Sequence, residues 1–258
     1  MVNGPPLSTV TVLRPRERGE LPIRVGDARA CIIVPALDAA RTLGDVLREL
    51  MTTFACAADS ILVVDDGSTD GTAEIARAAG VHVVRSPRNE GKGAALVRGL
   101  REALSLGFLV AITVDADGQH PAASARALTL ASEDPRALVL GVRDLARDGA
   151  PRKNRFSNGV SNVFLSLFSG RRLADTQCGL RRYPIRETLA LGTRATGYAF
   201  EAEVILRSVA AKIPIVEHHV RVVYPPEEQR VTHFHGVKDP ARIVVTVVRT
   251  VLALRRVR

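Results

Sequence analysis

The sequence predicts an α/β fold in which a mostly parallel sheet carries helices on both faces. The first observation is a regular alternation, from residue 30 onward, of short apolar runs with segments of helical periodicity. The second is that two acidic clusters directly follow two of these apolar runs. Alternating strands and helices imply crossover connections and a covered parallel sheet. Ligands bind such sheets outside the carboxyl ends of the strands.

Four apolar runs have the length of a buried strand. The first is closed by Pro35, and the second stops at Asp65. The predicted strands are Cys31–Val34, Ile61–Val64, Val81–Val84 and Phe108–Val114, with a strand pair later, around Ile215–Tyr224.

The segments between the strands have helical spacing. Glycines end two of them, and Pro121 starts another at a position that tolerates proline. The predicted helices are Leu43–Phe54, Thr72–Ala79, Lys92–Leu106, one that begins at Pro121, one that carries Val160, Phe164, Leu165 and Phe168, and Tyr198–Lys212.

The chain of 258 residues is long enough for one large domain, and it contains no repeat or low-complexity linker. We assign residues 1–28 to an irregular N-terminal extension, 29–237 to the α/β domain and 238–258 to a basic C-terminal helix. The extension lacks the apolar segment of a secretory signal. No apolar run reaches the length of about 18 residues that spans a bilayer. The C-terminal helix either packs on the domain or rests on anionic lipid.

The net charge of +9 indicates an anionic partner. The charge is uneven: residues 31–139 carry −4, residues 140–186 carry +7 and residues 238–258 carry +5. A protein that coats nucleic acid would be basic throughout, and the absence of Trp argues against a base-stacking platform. Three scattered Cys residues make neither a disulfide framework nor a zinc site, so we expect a reduced, cytoplasmic protein.

The sharpest motif is Asp115-Ala116-Asp117-Gly118-Gln119-His120, directly after an apolar strand. Two carboxylates one residue apart, with an amide oxygen two residues further on, suit a hard divalent cation that keeps positions open for phosphate oxygens. The alternative is a polar turn in which the acids cap the next helix. A second acidic cluster at another strand end favours the metal site.

That second cluster, Asp65-Asp66-Gly67-Ser68, either accepts hydrogen bonds from a ribose or base, or only forms a turn. A third motif, Asn89-Glu90-Gly91-Lys92-Gly93, offers a positive helix end to an anion. It lacks the spacing of a Walker A loop. The chain has neither a G-x-S-x-G elbow nor an H-E-x-x-H pair.

In their order and separation, Pro35 and these three motifs resemble the family 2 glycosyltransferases, which have the GT-A fold. The resemblance covers about residues 30–235. Three later features resemble the branch of dolichyl-phosphate mannose synthases and other polyprenyl-phosphate glycosyltransferases. They are Arg143, Arg155-Phe-Ser157-Asn158 and Asp175-Thr-Gln-Cys-Gly179-Leu-Arg181.

The resemblance implies a nucleotide-sugar donor and a divalent cation, Mg²⁺ or Mn²⁺, that bridges its diphosphate. Asp115, Asp117 and Gln119 are the implied metal ligands. Apart from the resemblance, the Pro-led segment Pro225–His235 either closes over the donor diphosphate, with Arg230 as the contact, or is an exposed polar loop. This chain has Pro35-Ala36-Leu37-Asp38-Ala39 where the family often has Pro-Thr-Tyr-Asn-Glu, which leaves the identity of the base and the sugar open. The implied nucleotide-binding residues are Pro35, Ala36, Asp38, Asp65, Asp66, Lys92, Asp115 and Ala116.

The acceptor decides which further groups the reaction needs. A hydroxyl acceptor needs a carboxylate base, whereas a phosphate oxygen is already ionised and needs cations. The +7 charge of residues 140–186 favours the phosphate. Asp175 is then a structural partner of Arg181 or Arg182, and it is the base if the acceptor is a hydroxyl. The predicted acceptor-phosphate residues are Arg143, Arg155, Ser157 and Asn158, and the predicted catalytic residues are Asp117, Arg143 and Asp175.

The sequence therefore predicts an inverting, metal-dependent enzyme that moves a sugar from a GDP-mannose or UDP-hexose type of donor to a polyprenyl or dolichyl phosphate. We expect it at the cytoplasmic face of the membrane as a peripheral protein, with no nucleic-acid partner. One alternative is the same fold with a hydroxyl acceptor on a lipid, glycan or small molecule. The other is a non-catalytic basic protein that binds membrane or nucleic acid.

Overall fold

The computed structural model describes residues 22–56, 58–150, 152–224 and 238–255 of the protein. Its strands are β1 (Arg24–Val25), β2 (Ala28–Ala36), β3 (Ile61–Asp65), β4 (His82–Arg85), β5 (Val110–Thr113), β6 (Leu138–Arg143), β7 (Arg181–Pro184) and β8 (Ile215–Val220). Its helices are α1 (Leu43–Phe54), α2 (Thr72–Ala78), α3 (Lys92–Ser105), α4 (Ala122–Leu130), α5 (Arg152–Ser169), α6 (Ile185–Ala190), α7 (Ala199–Ala210) and α8 (Lys238–Arg255).

The main sheet has the strand order β4-β3-β2-β5-β7-β6-β8. Neighbouring strands run parallel except at β7, which is antiparallel to both β5 and β6. The short strand β1 pairs antiparallel with β2 at its edge. The predicted α/β class with a mostly parallel sheet is therefore confirmed.

Strand β2 continues through Pro35, where the sequence pattern predicted its end. The register pairs Pro35 with Val64 of β3, whereas the pairing with β5 stops at Ile33. Alternate residues of a strand direct their backbone polar groups to opposite sides. The nitrogen of Pro35 therefore faces the β5 side, where the pairing has already stopped. No hydrogen bond between strands is lost because proline has no N–H.

Two apolar layers cover the faces of the sheet, because side chains alternate along each buried strand. In β2, Ile32 and Val34 belong to one core cluster and Ile33 to the other. The helices α1, α2 and α4 pack on the first side, and α3, α5, α6, α7 and α8 pack on the second. The sheet edge at the carboxyl ends of β2, β3 and β5 remains available for a site.

Several elements differ from the sequence pattern. Strands β6 and β7 and helix α6 were not predicted, and the predicted strand pair at residues 215–224 is the single strand β8 in the described part. Of the four apolar residues expected together on α5, only Leu165 is buried. Residues 22–28, assigned to an irregular extension, contain β1 and the start of β2. Among the described helices, none has the length and hydropathy needed to cross a membrane.

Candidate active site

The carboxyl ends of β2, β3 and β5 bring three sequence motifs to one edge of the sheet. Ala36 at the end of β2 pairs with Asp65 at the end of β3, and Ile33 pairs with Thr113 at the end of β5. The loops after these ends contain the predicted nucleotide and metal residues. This is the edge at which parallel α/β sheets bind ligands.

The loops after β2 and β3 are tied together by their own hydrogen bonds. The backbone N–H of Asp38 donates to Ser68 Oγ (2.9 Å), and the N–H of Thr69 donates back to Asp38 Oδ1 (2.8 Å). Asp38 has a φ of 45°, in the left-handed region that an aspartate tolerates better than most residues. The Asp38 side chain therefore shapes the wall of the site in this structure.

Asp65 and Asp66 are buried, and both carboxylates accept bonds from within the protein. Asp65 accepts the N–H of Ser68 at 2.8 Å and pairs with Arg85 Nε at 3.0 Å. Asp66 accepts the N–H groups of Glu90 (3.1 Å) and Gly91 (2.7 Å). These acids join the loops after β3 and β4, and their predicted contact with a base or ribose stays a prediction.

Lys92, the first residue of α3, lies between two carboxylates. Its Nζ is 2.8 Å from Asp115 Oδ1 and 3.2 Å from Glu201 Oε1. Burial would lower the pKa of the Lys92 ammonium, but the charges of Asp115 and Glu201 outweigh burial and raise that pKa. Burial likewise opposes the charged form of Asp115, yet Lys92 holds the Asp115 pKa below its usual range. This ion pair keeps both groups charged at the strand end.

Gly179 leaves the space in which this ion pair lies. A Cβ at Gly179 would overlap the Asp115 carboxylate and lie 2.7 Å from Lys92 Nζ. The carbonyl oxygen of Gly179 accepts the Thr113 hydroxyl at 2.8 Å, which fixes the loop against β5. A side chain at residue 179 would therefore displace Asp115 or Lys92.

Asp117 and Gln119 lie on the turn after β5. The N–H of Gln119 donates to Asp117 Oδ1 at 2.9 Å. Burial and the negative charge of Asp115 raise the pKa of Asp117 to about 6. A nearby cation would relieve this repulsion. In the described ranges no three His, Cys, Asp or Glu side chains form a metal-binding group, so a cation here would take two carboxylates, an amide oxygen and ligands from outside the chain.

His120 lies buried behind the acidic pair, with its Nε2 3.9 Å from Asp115 Oδ2. Burial lowers the pKa of His120 to about 4, so the imidazole is neutral at neutral pH. The charges of Asp115, Arg143, Lys92 and Asp175 all act on this ring. The acidic pair and Arg143 are therefore parts of one electrostatic site.

Arg143, at the end of β6, is held by Asp175 through a two-pronged ion pair. Arg143 Nε donates to Asp175 Oδ2 at 2.7 Å, and its Nη2 donates to Oδ1 at 3.0 Å. Asp175 is 1% exposed. Burial would lower the pKa of the Arg143 guanidinium, but the charge of Asp175 raises it. The site thus contains a guanidinium that stays charged.

The predicted partners of Asp175 are wrong. Arg181 donates to the backbone oxygens of Cys178, Glu201 and Thr176 at 2.7–2.9 Å. Arg182 also donates to backbone oxygens, including that of Ser132 at 2.7 Å. Both guanidiniums bind carbonyls of nearby turns, which leaves Asp175 to Arg143.

Helix α5 is joined to the loop that carries Asp175. The N–H of Thr176 donates to Asn162 Oδ1 at 2.9 Å, and Ser161 and Thr176 share a hydroxyl bond of 2.9 Å. Asn158, one turn before, is 3% exposed, and its Oδ1 accepts no hydrogen bond from the described residues. Arg155 is exposed at the start of the helix.

Two predicted residues cannot be placed. The Ser157 side chain and all of Arg230 lie outside the described residues. The other predicted residues gather around the carboxyl edge of the sheet and the end of β6, with Arg155 at its periphery.

Sequence reasoning missed Glu201. This acid is 4% exposed and pairs with Lys92 from the first turn of α7. The sequence did contain a signal: Glu201 is four residues before the apolar Ile205, so both lie on the same, buried face of the helix. An acid at a core position of a helix requires a charged partner.

The chain matches the model of the family described as "Glycosyl transferase family 2" over residues 31–210. This range contains all the predicted site residues except Arg230.

Two curated relatives act on polyprenyl phosphates, according to their names. UDP-N-acetylglucosamine–dolichyl-phosphate N-acetylglucosaminyltransferase of Methanococcus voltae is 28% identical over 225 residues, which cover 78% of this chain and 88% of that enzyme. Undecaprenyl-phosphate 4-deoxy-4-formamido-L-arabinose transferase of Salmonella choleraesuis (strain SC-B67) is 30% identical over 204 residues, which cover 74% of this chain and 59% of that enzyme. The chain therefore spans less than two thirds of the Salmonella protein.

Among solved structures, the glucosyl-3-phosphoglycerate synthase from Mycobacterium tuberculosis in complex with Mn²⁺, UDP-glucose and phosphoglyceric acid is similar in fold. The TM-score is 0.68 with 17% identity, and the match covers 87% of this chain and 80% of that chain. At this identity the likeness shows the fold alone. Because the family match spans more than half of its length, the protein belongs to glycosyl transferase family 2, with the GT-A fold, and is a glycosyltransferase.

Proposed function

We propose that the protein moves a hexose-type sugar from a nucleotide-diphosphate sugar to a polyprenyl or dolichyl phosphate. The observation that carries this proposal is Arg143, a half-buried and charged guanidinium that Asp175 holds in place and whose positive charge acts on Asp115. A fixed guanidinium beside the carboxylates of a donor site suits a phosphate acceptor. The names of the Methanococcus and Salmonella relatives support the same acceptor class.

The acceptor phosphate needs no general base, because its attacking oxygen is already ionised. This oxygen forms a bond to the anomeric carbon while the bond to the nucleoside diphosphate breaks, so a single displacement inverts the configuration. Arg143 binds the acceptor oxygens and offsets their repulsion from the donor diphosphate. Asp175 is unsuited to act as a base for a hydroxyl, since both of its oxygens accept bonds from Arg143.

The donor set at the end of β5 fits Mg²⁺ or Mn²⁺. The Asp115 and Asp117 carboxylates and the Gln119 amide oxygen are ligands that such cations accept, and their number leaves positions for phosphate oxygens. The raised pKa of Asp117 marks an excess of negative charge that a cation would relieve. A similar fold binds Mn²⁺ with UDP-glucose. The cation would stabilise the charge that develops on the leaving diphosphate.

The remaining donor contacts are proposed from the loops around this set. Lys92 keeps Asp115 ionised and supplies a positive charge near the diphosphate. The loops after β2 and β3 form the nucleotide side, and Arg230 is proposed for the diphosphate. The proposed nucleotide-binding residues are Pro35, Ala36, Asp38, Asp65, Asp66, Lys92, Asp115 and Ala116.

We propose that two helices rest on the cytoplasmic face of the membrane, where a polyprenyl phosphate presents its head group. The exposed face of α5 carries Val160, Val163, Phe164, Leu167 and Phe168, and α8 packs on α5 and exposes Val245, Val248 and Leu252. Exposed arginines flank these faces, including Arg155, Arg171 and Arg249. Apolar side chains bordered by basic ones suit the interface of anionic lipid.

The test is sugar transfer by the full chain and by Asp117→Asn. The protein is incubated with a panel of labelled nucleotide sugars, Mn²⁺ or Mg²⁺ and a short polyprenyl phosphate, and glycolipid and released nucleoside diphosphate are measured. We expect product with one donor, and a loss of at least about 100-fold in Asp117→Asn, because a metal-binding carboxylate becomes a neutral amide.

The exposed Asp27→Asn is the matched control and should transfer normally. Thermal unfolding should be similar for all three proteins. Full metal-dependent turnover by Asp117→Asn would refute the assigned site. Transfer only to hydroxyl acceptors, unchanged in Arg143→Ala, would refute the phosphate acceptor.

A further inference from the structure

A surface cavity lies between the outer face of helix α3 and the segment before α7. Its volume is about 260 Å³. One wall is the outer face of α3 with Val97, Arg98 and Arg101, and the other is the segment from Thr193 to Thr196. Lys92 starts the same helix but directs its ammonium to Asp115, so the two sites use different residues of α3.

Three arginines and one acid line this cavity. Arg98 and Arg101 are three residues apart and share a face of α3, and Arg194 reaches the cavity from the opposite wall. Arg98 pairs with Glu90 and also bonds to Ser86. Within the described ranges, neither Arg101 nor Arg194 forms an ion pair with a carboxylate. The cavity therefore has an excess of positive charge.

The wall opposite α3 is held in place from inside the protein. Glu203, 2% exposed, accepts the backbone N–H groups of Arg194 (2.9 Å) and Ala195 (2.8 Å) with one oxygen. Its other oxygen pairs with Arg207 at 2.6 Å. The carbonyl of Thr196 accepts the N–H of Ala94 at 2.9 Å, which docks the segment onto α3. The arginines thus project from fixed backbone on both sides.

We propose that this cavity is a binding site for a small phosphate-bearing anion. Guanidinium groups bind phosphate oxygens in pairs of parallel hydrogen bonds, and Thr193 and Thr196 line the same space. The volume is below that of most sites for drug-sized ligands, roughly 300–1,000 Å³. The ligand is therefore inorganic phosphate or a compact phosphomonoester.

The cavity also borders the loop that holds Asp66. Glu90, the partner of Arg98, donates its backbone N–H to Asp66, and so does Gly91. An anion that binds Arg98 competes with the carboxylate of Glu90, the same residue whose backbone N–H contacts Asp66. The binding site itself does not depend on the proposed transferase reaction.

The experiment is an NMR titration of the full chain, labelled with ¹⁵N and free of divalent metal. The probes are inorganic phosphate and glycerol phosphate, and the signals are the backbone amides of Arg101, Thr193 and Thr196. We expect saturable shifts with a dissociation constant of about 1 mM or tighter. The variant Arg101→Gln/Arg194→Gln should bind at least roughly tenfold more weakly, because two of three guanidiniums are lost.

The control is Arg77→Gln/Arg126→Gln, which removes two exposed arginines of α2 and α4 on the other side of the sheet and should titrate as the unmodified protein. Phosphate bound at Arg143 would move amides near β6 and would persist in Arg101→Gln/Arg194→Gln, so the two sites are distinguishable. If neither probe moves the cavity amides, or if Arg101→Gln/Arg194→Gln binds as tightly as the unmodified chain, the proposal is wrong.

Discussion

At the scale of single residues, Asp175 determines how Arg143 can act. Its carboxylate accepts the Arg143 guanidinium twice, the Arg143 backbone N–H at 3.1 Å and the Gln177 N–H at 3.1 Å. Four donors fill the favourable positions around a buried carboxylate. Asp175 therefore orients Arg143 and is a positioning residue in the proposed reaction.

Asp175→Asn should weaken acceptor binding more than donor binding. The asparagine amide has no negative charge. Its NH₂ group is a donor, so it cannot accept the N–H groups of Arg143 and Gln177 that one carboxylate oxygen accepted. A charged hydrogen bond contributes about 1.5–3 kcal/mol, so we expect the KM for polyprenyl phosphate to rise by roughly tenfold or more. The measurement is steady-state kinetics with each substrate varied in turn, supported by thermal unfolding.

Asp45→Asn is the control for this variant, because it weakens an Asp–Arg pair that is largely exposed to solvent. Exposed pairs contribute little, and the acceptor KM should not change. A general base would behave differently. In that case Asp175→Asn would reduce kcat and flatten its dependence on pH, with the acceptor KM unchanged, and the positioning role would be refuted.

Some residues of the site can be predicted from the sequence alone. Asp115 and Asp117 are recognisable because they follow a buried strand at a spacing that suits a cation. The pairing of Asp175 with Arg143 cannot be recognised, because the two residues are 32 positions apart. Local spacing carries no information on which loops meet across a sheet, and for the same reason the partner of Glu201, Lys92, could not be predicted.

At the scale of elements, the strands that sequence could predict are those built from continuous apolar runs. β2, β3, β4 and β5 all coincide with predicted runs. β7 consists of Arg181, Arg182, Tyr183 and Pro184, all buried. Two adjacent arginines resemble an exposed segment in sequence, and only the surrounding carbonyl oxygens make their burial possible.

Arg182→Met should destabilise the fold through the end of α4. Arg182 donates to four carbonyl oxygens, those of Leu128, Thr129, Ser132 and Asp134. A helix end needs such partners, and methionine supplies none. We expect the free energy of unfolding to fall by about 2 kcal/mol or more, measured by urea denaturation.

Arg186→Met provides the comparison, because Arg186 is exposed four residues further on, in α6. Its effect should stay within about 0.5 kcal/mol. Equal stability of Arg182→Met and the unmodified protein would mean that water replaces the guanidinium at these carbonyls.

At the scale of the whole molecule, charge and apolar exposure are unevenly distributed. Residues 31–139, which contain the proposed donor site, carry −4, and residues 140–186 carry +7. Most of the large apolar side chains that the described residues expose lie on α5 and α8. Both helices are on the second side of the sheet, so a membrane in contact with them leaves α1, α2 and α4 in water.

Binding to anionic vesicles should therefore depend on α5. Val163 is 67% exposed and Leu167 is 73% exposed, one turn apart. Burial of such side chains in lipid contributes about 1.5 kcal/mol or more each. The variant Val163→Ser/Leu167→Ser should lower the partition coefficient at least roughly tenfold in a sedimentation assay with vesicles of anionic and neutral phospholipid.

Leu130→Ser is the matched control, because Leu130 is 78% exposed on α4, across the sheet, and its loss should leave binding unchanged. If both variants lost binding equally, the contact would not lie on α5. If the unmodified protein bound neutral vesicles as well as anionic ones, the proposed attraction to anionic lipid would be refuted.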